Sequence, residues 1–155
     1  MVETLSMRYF GAALVFVLGC GLLATCGGKD SELARRIRAS ELHPLGIGCE
    51  GSYYELADGK LLGFVDGKQL ENFSPPATLS EVNGSAVIDF GTKPLFYRWI
   101  LTPTPSPDIF RVASQLTTPL SENQQAYYRK ANRKSPEEIN AIWNSFEAFT
   151  LCPRK

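Results

Sequence analysis

Three tight-turn dipeptides restrict the fold of this chain more than any other feature of its sequence. Asp58-Gly59 and Asp66-Gly67 flank the strand-like run "KLLGFV", and Asn83-Gly84 separates "TLSEV" from "SAVIDF". Both central residues of a type I′ turn need positive φ, which Gly, Asn and Asp tolerate best, so such pairs are strong hairpin signals. The middle of the chain is therefore predicted to be antiparallel, with a three-stranded meander around the two Asp-Gly turns.

A longer hairpin follows, in which "PLFYRWIL" and "DIFRVASQL" are joined by the proline-rich loop "TPTPSP". With the segments above, this predicts about seven short strands in an antiparallel sheet or a partly closed barrel. Pairing Trp99 with Phe110 directs both residues toward the core and places Arg98 opposite Arg111 on the other face.

That arginine-bearing face is the candidate binding surface. It also carries three apolar residues, Phe96, Ile100 and Ile109. Like charges directly opposite each other repel, and a bound anion or a partner's carboxylate would relieve them. An acid on a neighbouring strand would relieve them too, and a register shifted by one residue would reverse every face.

A short helix is predicted before the sheet, over "SELARRIRASEL" from Ser31 to Leu42. Asp30 or Ser31 is its N-cap, and Pro44 ends it. Its three arginines form either a solvated helix face or a surface for a partner or lipid headgroups.

Two helices are predicted after the sheet. Ser121 and Gln124 have the spacing of a capping box for a helix to about Asn132, and Ser135-Pro136-Glu137-Glu138 is a second capping box. The apolar stripe of the last helix recurs at helical spacing: Ile139, Ile142, Trp143, Phe146 and Phe149. The predicted fold class is thus α+β, with a short N-terminal helix and two C-terminal helices around the sheet.

The first 28 residues contain a different signal. Residues 9–28 carry no charge and follow Arg8, as in a signal peptide. Both "LATC", ending at Cys26, and "VLGC", ending at Cys20, resemble the lipobox of bacterial lipoproteins. The resemblance implies that a cysteine is diacylated and usually N-acylated, and that it becomes the mature N-terminus. An uncleaved signal anchor and an ordinary secreted protein are the alternatives, and all three place the domain outside the cytoplasm.

Cys26 is the preferred lipidation site, with Cys20 as the alternative. Gly19 fits the lipobox better than Thr25, but the apolar run ends at Cys26. Processing there gives a signal peptide over 1–25, a tether over 26–30 and one globular domain over 31–155. It also leaves only Cys49 and Cys152 to pair, so a disulfide between them is predicted. Both candidate cysteines precede glycine, which in lipoproteins of double-membraned bacteria implies the outer membrane.

The charge balance argues against nucleic acid as a partner. The chain has 16 basic and 16 acidic residues, whereas nucleic-acid binding relies on a basic stripe that neutralises phosphates. Its one basic cluster lies near the end of a predicted helix, where the helix dipole favours cations: Arg129, Lys130, Arg133 and Lys134.

Candidate catalytic groups have structural explanations. Glu137 and Glu138 belong to a capping box, and Asp58 and Asp66 belong to their turns. His43 is the only histidine, and as a general base it would need a nucleophile or an orienting acid within reach.

No cofactor and no metal is expected, since Cys49 and Cys152 have too few companion ligands. The expected function is that of a lipid-anchored, non-catalytic envelope protein that binds another protein or a cell-wall component. An inhibitor, an immunity protein or an assembly accessory fits this description. A cell-envelope hydrolase is the alternative.

Overall fold

The structure is a computed structural model and describes residues 31–155. The predicted signal peptide and the tether up to residue 30, with Cys20 and Cys26, lie outside the described residues. In chain order the elements are α1 (Glu32–Arg38), β1 (Ser40–Pro44), β2 (Tyr53–Ala57), β3 (Lys60–Val65), β4 (Lys68–Gln69), β5 (Ala77–Val82), β6 (Ser85–Thr92), β7 (Leu95–Pro103), β8 (Ile109–Leu116), α2 (Glu122–Asn132), α3 (Pro136–Asn144) and β9 (Ala148–Pro153).

The nine strands form one antiparallel sheet in the order β4-β3-β2-β1-β9-β8-β7-β6-β5. The last strand of the chain, β9, lies in the middle and joins β1 to β8. The segment before β5 returns to β3, where the Leu61 N–H donates to the Pro75 carbonyl at 3.0 Å. The α+β class is confirmed, but the sheet has nine strands rather than about seven.

The tight turns form as predicted. Asp58, Asp66 and Asn83 have φ values of 50°, 49° and 51°, and the glycine after each also has positive φ. These turns join β2 to β3, β3 to β4, and β5 to β6, so the local turn chemistry sets the order of the strands.

The first helix is shorter than predicted. It covers Glu32–Arg38 with Ser31 as N-cap, and the residues after Ala39 form β1 instead of continuing it to Leu42. Leu42 is fully buried among core residues, and β1 hydrogen-bonds to both β2 and β9. Pairing on both sides outweighs the weak helical signal there.

The last predicted helix also ends early. Both capping boxes are present, at Ser121 and Ser135, but α3 stops at Asn144. Phe149 lies on β9 rather than on the helical stripe. Ile142 is 41% exposed and Trp143 only 6%, so α3 buries a narrower face than the sequence suggests.

The core is dominated by aromatic rings. Trp99 lies at its centre, fully buried, and meets the edges or faces of four other rings: Tyr54, Phe90, Trp143 and Phe149. Such edge-to-face pairs add to the stabilisation from buried area. All nine strands, the three helices and the core belong to residues 31–155, so this stretch contains the complete described fold.

Candidate functional site

The predicted arginine pair does not form. The faces of the long hairpin are as predicted, but Trp99 lies opposite Ser114 and not Phe110. Arg98 therefore faces Gln115, while Arg111 faces Thr102. On its other side Arg98 donates two hydrogen bonds to the Asp89 carboxylate, at 2.7 and 3.0 Å.

The Asp89 carboxylate raises the pKa of Arg98 through these hydrogen bonds first and through its charge second. Asp89 on the neighbouring strand β6 thus balances the charge of Arg98. This is the alternative in which an acid on an adjacent strand relieves the arginine. The reason for expecting an anion at this face is removed.

His43 lies in β1, not at a helix end, and is 1% exposed. Its Nδ1 donates to the Glu50 carbonyl at 3.2 Å, since a carbonyl can only accept, and its Nε2 is 2.8 Å from a carboxylate oxygen of Glu41. Glu41 is also 1% exposed. The orienting acid that a general base requires is therefore present, but both groups are enclosed and both ring nitrogens are occupied.

The predicted disulfide between Cys49 and Cys152 is present, with the Cα atoms 5.6 Å apart. Cys152 lies on β9 directly opposite Glu41, while Cys49 belongs to the loop from residue 45 to 52. This loop also supplies the Glu50 carbonyl that His43 contacts. The bond therefore fastens the loop beside the buried Glu41–His43 pair.

The remaining candidate acids have the structural roles that the sequence predicts. The Ser135 N–H donates to the Glu138 carboxylate, and this backbone hydrogen bond is the main cause of the lowered pKa of Glu138. Asp58 and Asp66 form their turns. Within residues 31–155, no three side chains of His, Cys, Asp or Glu are grouped to hold a metal ion.

A groove of about 620 Å³ opens between the sheet, α3 and the segment before β5. We call it the apolar groove. One wall is the segment over 70–76, a second is the turn between β6 and β7, and a third is α3; its floor includes Tyr54, Phe90 and Tyr97. A pocket of this size, mostly apolar with polar groups at the rim, is typical of ligand sites.

The phenols in the floor are neutral. Burial is the main reason that the pKa of Tyr97 is raised, and nearby Glu137 raises it further. The pKa of Tyr54 is also raised by burial, while a hydrogen bond with the Trp143 side chain acts in the opposite direction. The Tyr97 hydroxyl donates to the Pro136 carbonyl at 3.3 Å, so the floor provides hydrocarbon surface and no charge.

The sequence interpretation missed this groove because its walls are far apart in the chain. Phe73 and Pro75-Pro76 break the meander, and Trp143 lies about 70 residues later. Two features of the sequence point toward the groove: Phe73 in the proline-containing segment before β5, and Ile142 at the exposed edge of the apolar stripe of α3. Neither feature shows which residues lie next to it in the folded protein.

The comparison with known proteins provides no relative. No protein-family model matches the chain, and no curated protein and no solved structure shows significant similarity to it. Among the helices of residues 31–155, none has the length and apolar character that crossing a membrane requires.

Proposed function

We propose that this chain is a non-catalytic, lipid-anchored protein of the bacterial cell envelope, and that its apolar groove binds an apolar part of another envelope component. The anchor rests on the lipobox resemblance at Cys26, and the groove is the single observation that carries the binding role. It leaves apolar side chains uncovered on two walls, with Leu70 43% and Ile142 41% exposed, and uncovered apolar surface is characteristic of binding sites.

The groove supports binding better than the outer sheet face does. On the outer face, Arg98 is paired with Asp89, and the side chains of both are substantially exposed, at 44% and 39%. Exposed ion pairs of this kind contribute little energy. The groove instead combines a concave shape, exposed apolar walls and a rim of polar residues.

The hydrolase alternative has less support. A general base must reach a substrate proton or a nucleophile, and His43 is enclosed between Glu41, Glu50 and the Tyr53 ring, whose centroid is 4.9 Å from its own. The loop over 45–52 would have to leave before any substrate could approach.

The helix α1 and the groove lie toward opposite ends of the domain. β7 runs from Leu95, which lines the groove, to Pro103, a rise of about 26 Å. Beyond Pro103, the Pro107 carbonyl accepts a hydrogen bond from Arg36 of α1 at 2.7 Å. A tether from Cys26 to Ser31 spans at most about 18 Å, so the α1 end is expected next to the membrane.

Lipidation of Cys26 is expected in the native envelope. The mature N-terminal peptide should begin at Cys26 and carry acyl chains. A single acyl chain binds a membrane only marginally, whereas a second and a third chain make the attachment stable. Mass spectrometry of that peptide measures the acylation of Cys26. The Cys26→Ser variant should release the domain from the membrane. An unmodified peptide or an intact leader would contradict the prediction of a lipid anchor. An acylated peptide that begins at Cys20 would show that Cys20 is the lipidated residue.

Filling the groove is expected to abolish partner binding. In Leu95→Trp, the larger side chain occupies the groove and should lower the yield of a crosslinked partner in intact cells at least tenfold. Ile100→Trp is the matched control, because residue 100 lies on the same strand but on the outer face. The comparison requires that both variants keep the thermal unfolding midpoint of the wild type, because overpacking alone can destabilise a fold by roughly 1–3 kcal/mol.

If Ile100→Trp removes the crosslink and Leu95→Trp keeps it, the outer face is the binding surface and the groove is not. If neither variant changes the crosslink, both surfaces are excluded.

A further inference from the structure

The loop over 45–52 covers His43 and is fastened to the rest of the domain mainly at its ends. At its start the Leu45 N–H donates to the Ala148 carbonyl at 2.9 Å, and near its end the Glu50 carbonyl accepts the hydrogen bond from His43. Between these two points, the disulfide joins the loop to β9. The position of the middle of the loop therefore depends on the disulfide.

The side chains of this loop add little packing. Leu45 and Ile47 are 45% and 44% exposed. Gly46 and Gly48 have positive φ, and no heavy atom outside the adjacent residues lies within 4 Å of the position that a Cβ would take at either glycine. Segments with few packed neighbours belong to the least stable part of a fold and open locally more readily than the core does. We therefore expect the loop to open once the disulfide no longer holds it.

The two cysteines of the disulfide differ in exposure. Cys49 is exposed, whereas Cys152 is 1% exposed and lies on β9 opposite Glu41. A thiolate arriving from solvent therefore meets Cys49 first. Exposed disulfides are more readily reduced than enclosed structural ones, so the bond that fastens the loop is open to thiol–disulfide exchange from the loop side.

The buried pair under the loop is held by other parts of the chain. Glu41 and His43 are two positions apart on β1 and face the same side of the sheet, and the second carboxylate oxygen of Glu41 is 3.3 Å from the Lys155 N–H. Opening the loop would remove the Glu50 carbonyl from Nδ1 of His43 and leave Nε2 beside its carboxylate. Replacing such a pair with apolar groups is often close to neutral for stability, so stability alone does not explain it.

We propose that the disulfide between Cys49 and Cys152 is a redox switch: when a dithiol reductant breaks it, the loop over 45–52 opens and exposes the imidazole of His43. A thiolate of the reductant attacks the Cys49 sulfur and the Cys152 sulfur leaves, and the second reductant thiol then displaces Cys49. The cysteines gain two electrons and two protons, and the reductant becomes a cyclic disulfide. An exposed imidazole beside the Glu41 carboxylate is the arrangement of a general base. This inference goes beyond the proposed function, because the pair lies on the face of β1 that points away from the core and the groove.

The test measures how fast diethyl pyrocarbonate modifies His43 in the full chain, kept in solution by a non-ionic detergent. His43 is the only histidine, so one peptide mass reports the reaction. The oxidised form is compared with protein reduced by dithiothreitol, which is removed under nitrogen before the modification. We expect the reduced form to react at least about tenfold faster, because the closed loop encloses the ring in the oxidised form. The emission of the buried residues Trp99 and Trp143 should stay that of the folded core.

Low concentrations of urea separate opening of the loop from unfolding of the domain. Local opening exposes little surface, so the modification rate of the reduced form should stay nearly constant below the unfolding transition, whereas a rate set by global unfolding rises steeply with urea. Cys49→Ala should show the fast rate with or without dithiothreitol, which assigns the effect to this bond. Equal rates in the oxidised and reduced forms, a rate that rises steeply with urea, or loss of the folded tryptophan emission on reduction would each overturn the proposal.

Discussion

Replacing both Cys49 and Cys152 with alanine is expected to lower the free energy of unfolding by roughly 2–5 kcal/mol. The bond links residues 103 positions apart in the sequence, and a loop of that length gives about 4.7 kcal/mol in the chain-entropy model. Urea unfolding of the oxidised wild type and of the double variant measures the difference. Alanine is chosen because Cys152 is 1% exposed and a serine hydroxyl there would add its own penalty.

The wild type treated with a reductant is the control, and it should unfold at the same urea concentration as the alanine variant. If oxidised and reduced wild type unfold within about 0.5 kcal/mol of each other, the bond does not stabilise this fold and the prediction is wrong.

His43→Ala is expected to destabilise the domain by about 3–5 kcal/mol, because it leaves the enclosed Glu41 carboxylate with only the Lys155 backbone N–H, 3.3 Å from one of its oxygens, as a hydrogen-bond partner. Glu41→Ala should lower the free energy of unfolding by a similar amount. The double variant Glu41→Leu with His43→Leu should cost far less than the sum, since replacing a buried pair with apolar groups of similar volume is often close to neutral. Urea unfolding of this double variant and of the single variants Glu41→Leu and His43→Leu gives a double-mutant cycle.

The exposed pair of Asp89 and Arg98 is the control for this cycle. Its removal by Asp89→Asn with Arg98→Gln should leave the urea midpoint nearly unchanged. If single variants of Glu41 and His43 lower the free energy of unfolding as little as this control does, solvent reaches the pair. The description of Glu41 and His43 as an enclosed pair would then be wrong.

Local chemistry in the sequence predicted much of the fold. The seven strands from β2 to β8 follow from turn dipeptides and alternating apolar residues, and both C-terminal helices begin where their capping boxes place them. The disulfide followed from cysteine parity. In each case the residues that decide the outcome are neighbours in sequence, or they are the only candidates of their kind.

The errors concern elements that depend on distant partners. β1 and β9 pair with each other although more than 100 residues separate Leu42 from Leu151, and the local pattern assigns the first residues of each strand to a helix. The register of the long hairpin was wrong by four residues on β8, because Trp99 pairs with Ser114. An even shift preserves the faces, so the core residues were correct while the arginine pairing was not.

The central position of β9 affects the order in which the sheet can form. This strand pairs with β1, which lies more than 100 residues earlier in the sequence, and with β8. The two meanders on either side of it can form from local contacts, but long-range pairing is slow because a long loop must close first. Since Cys152 lies on β9, Cys49 meets its partner in the same late step that unites the two halves of the sheet.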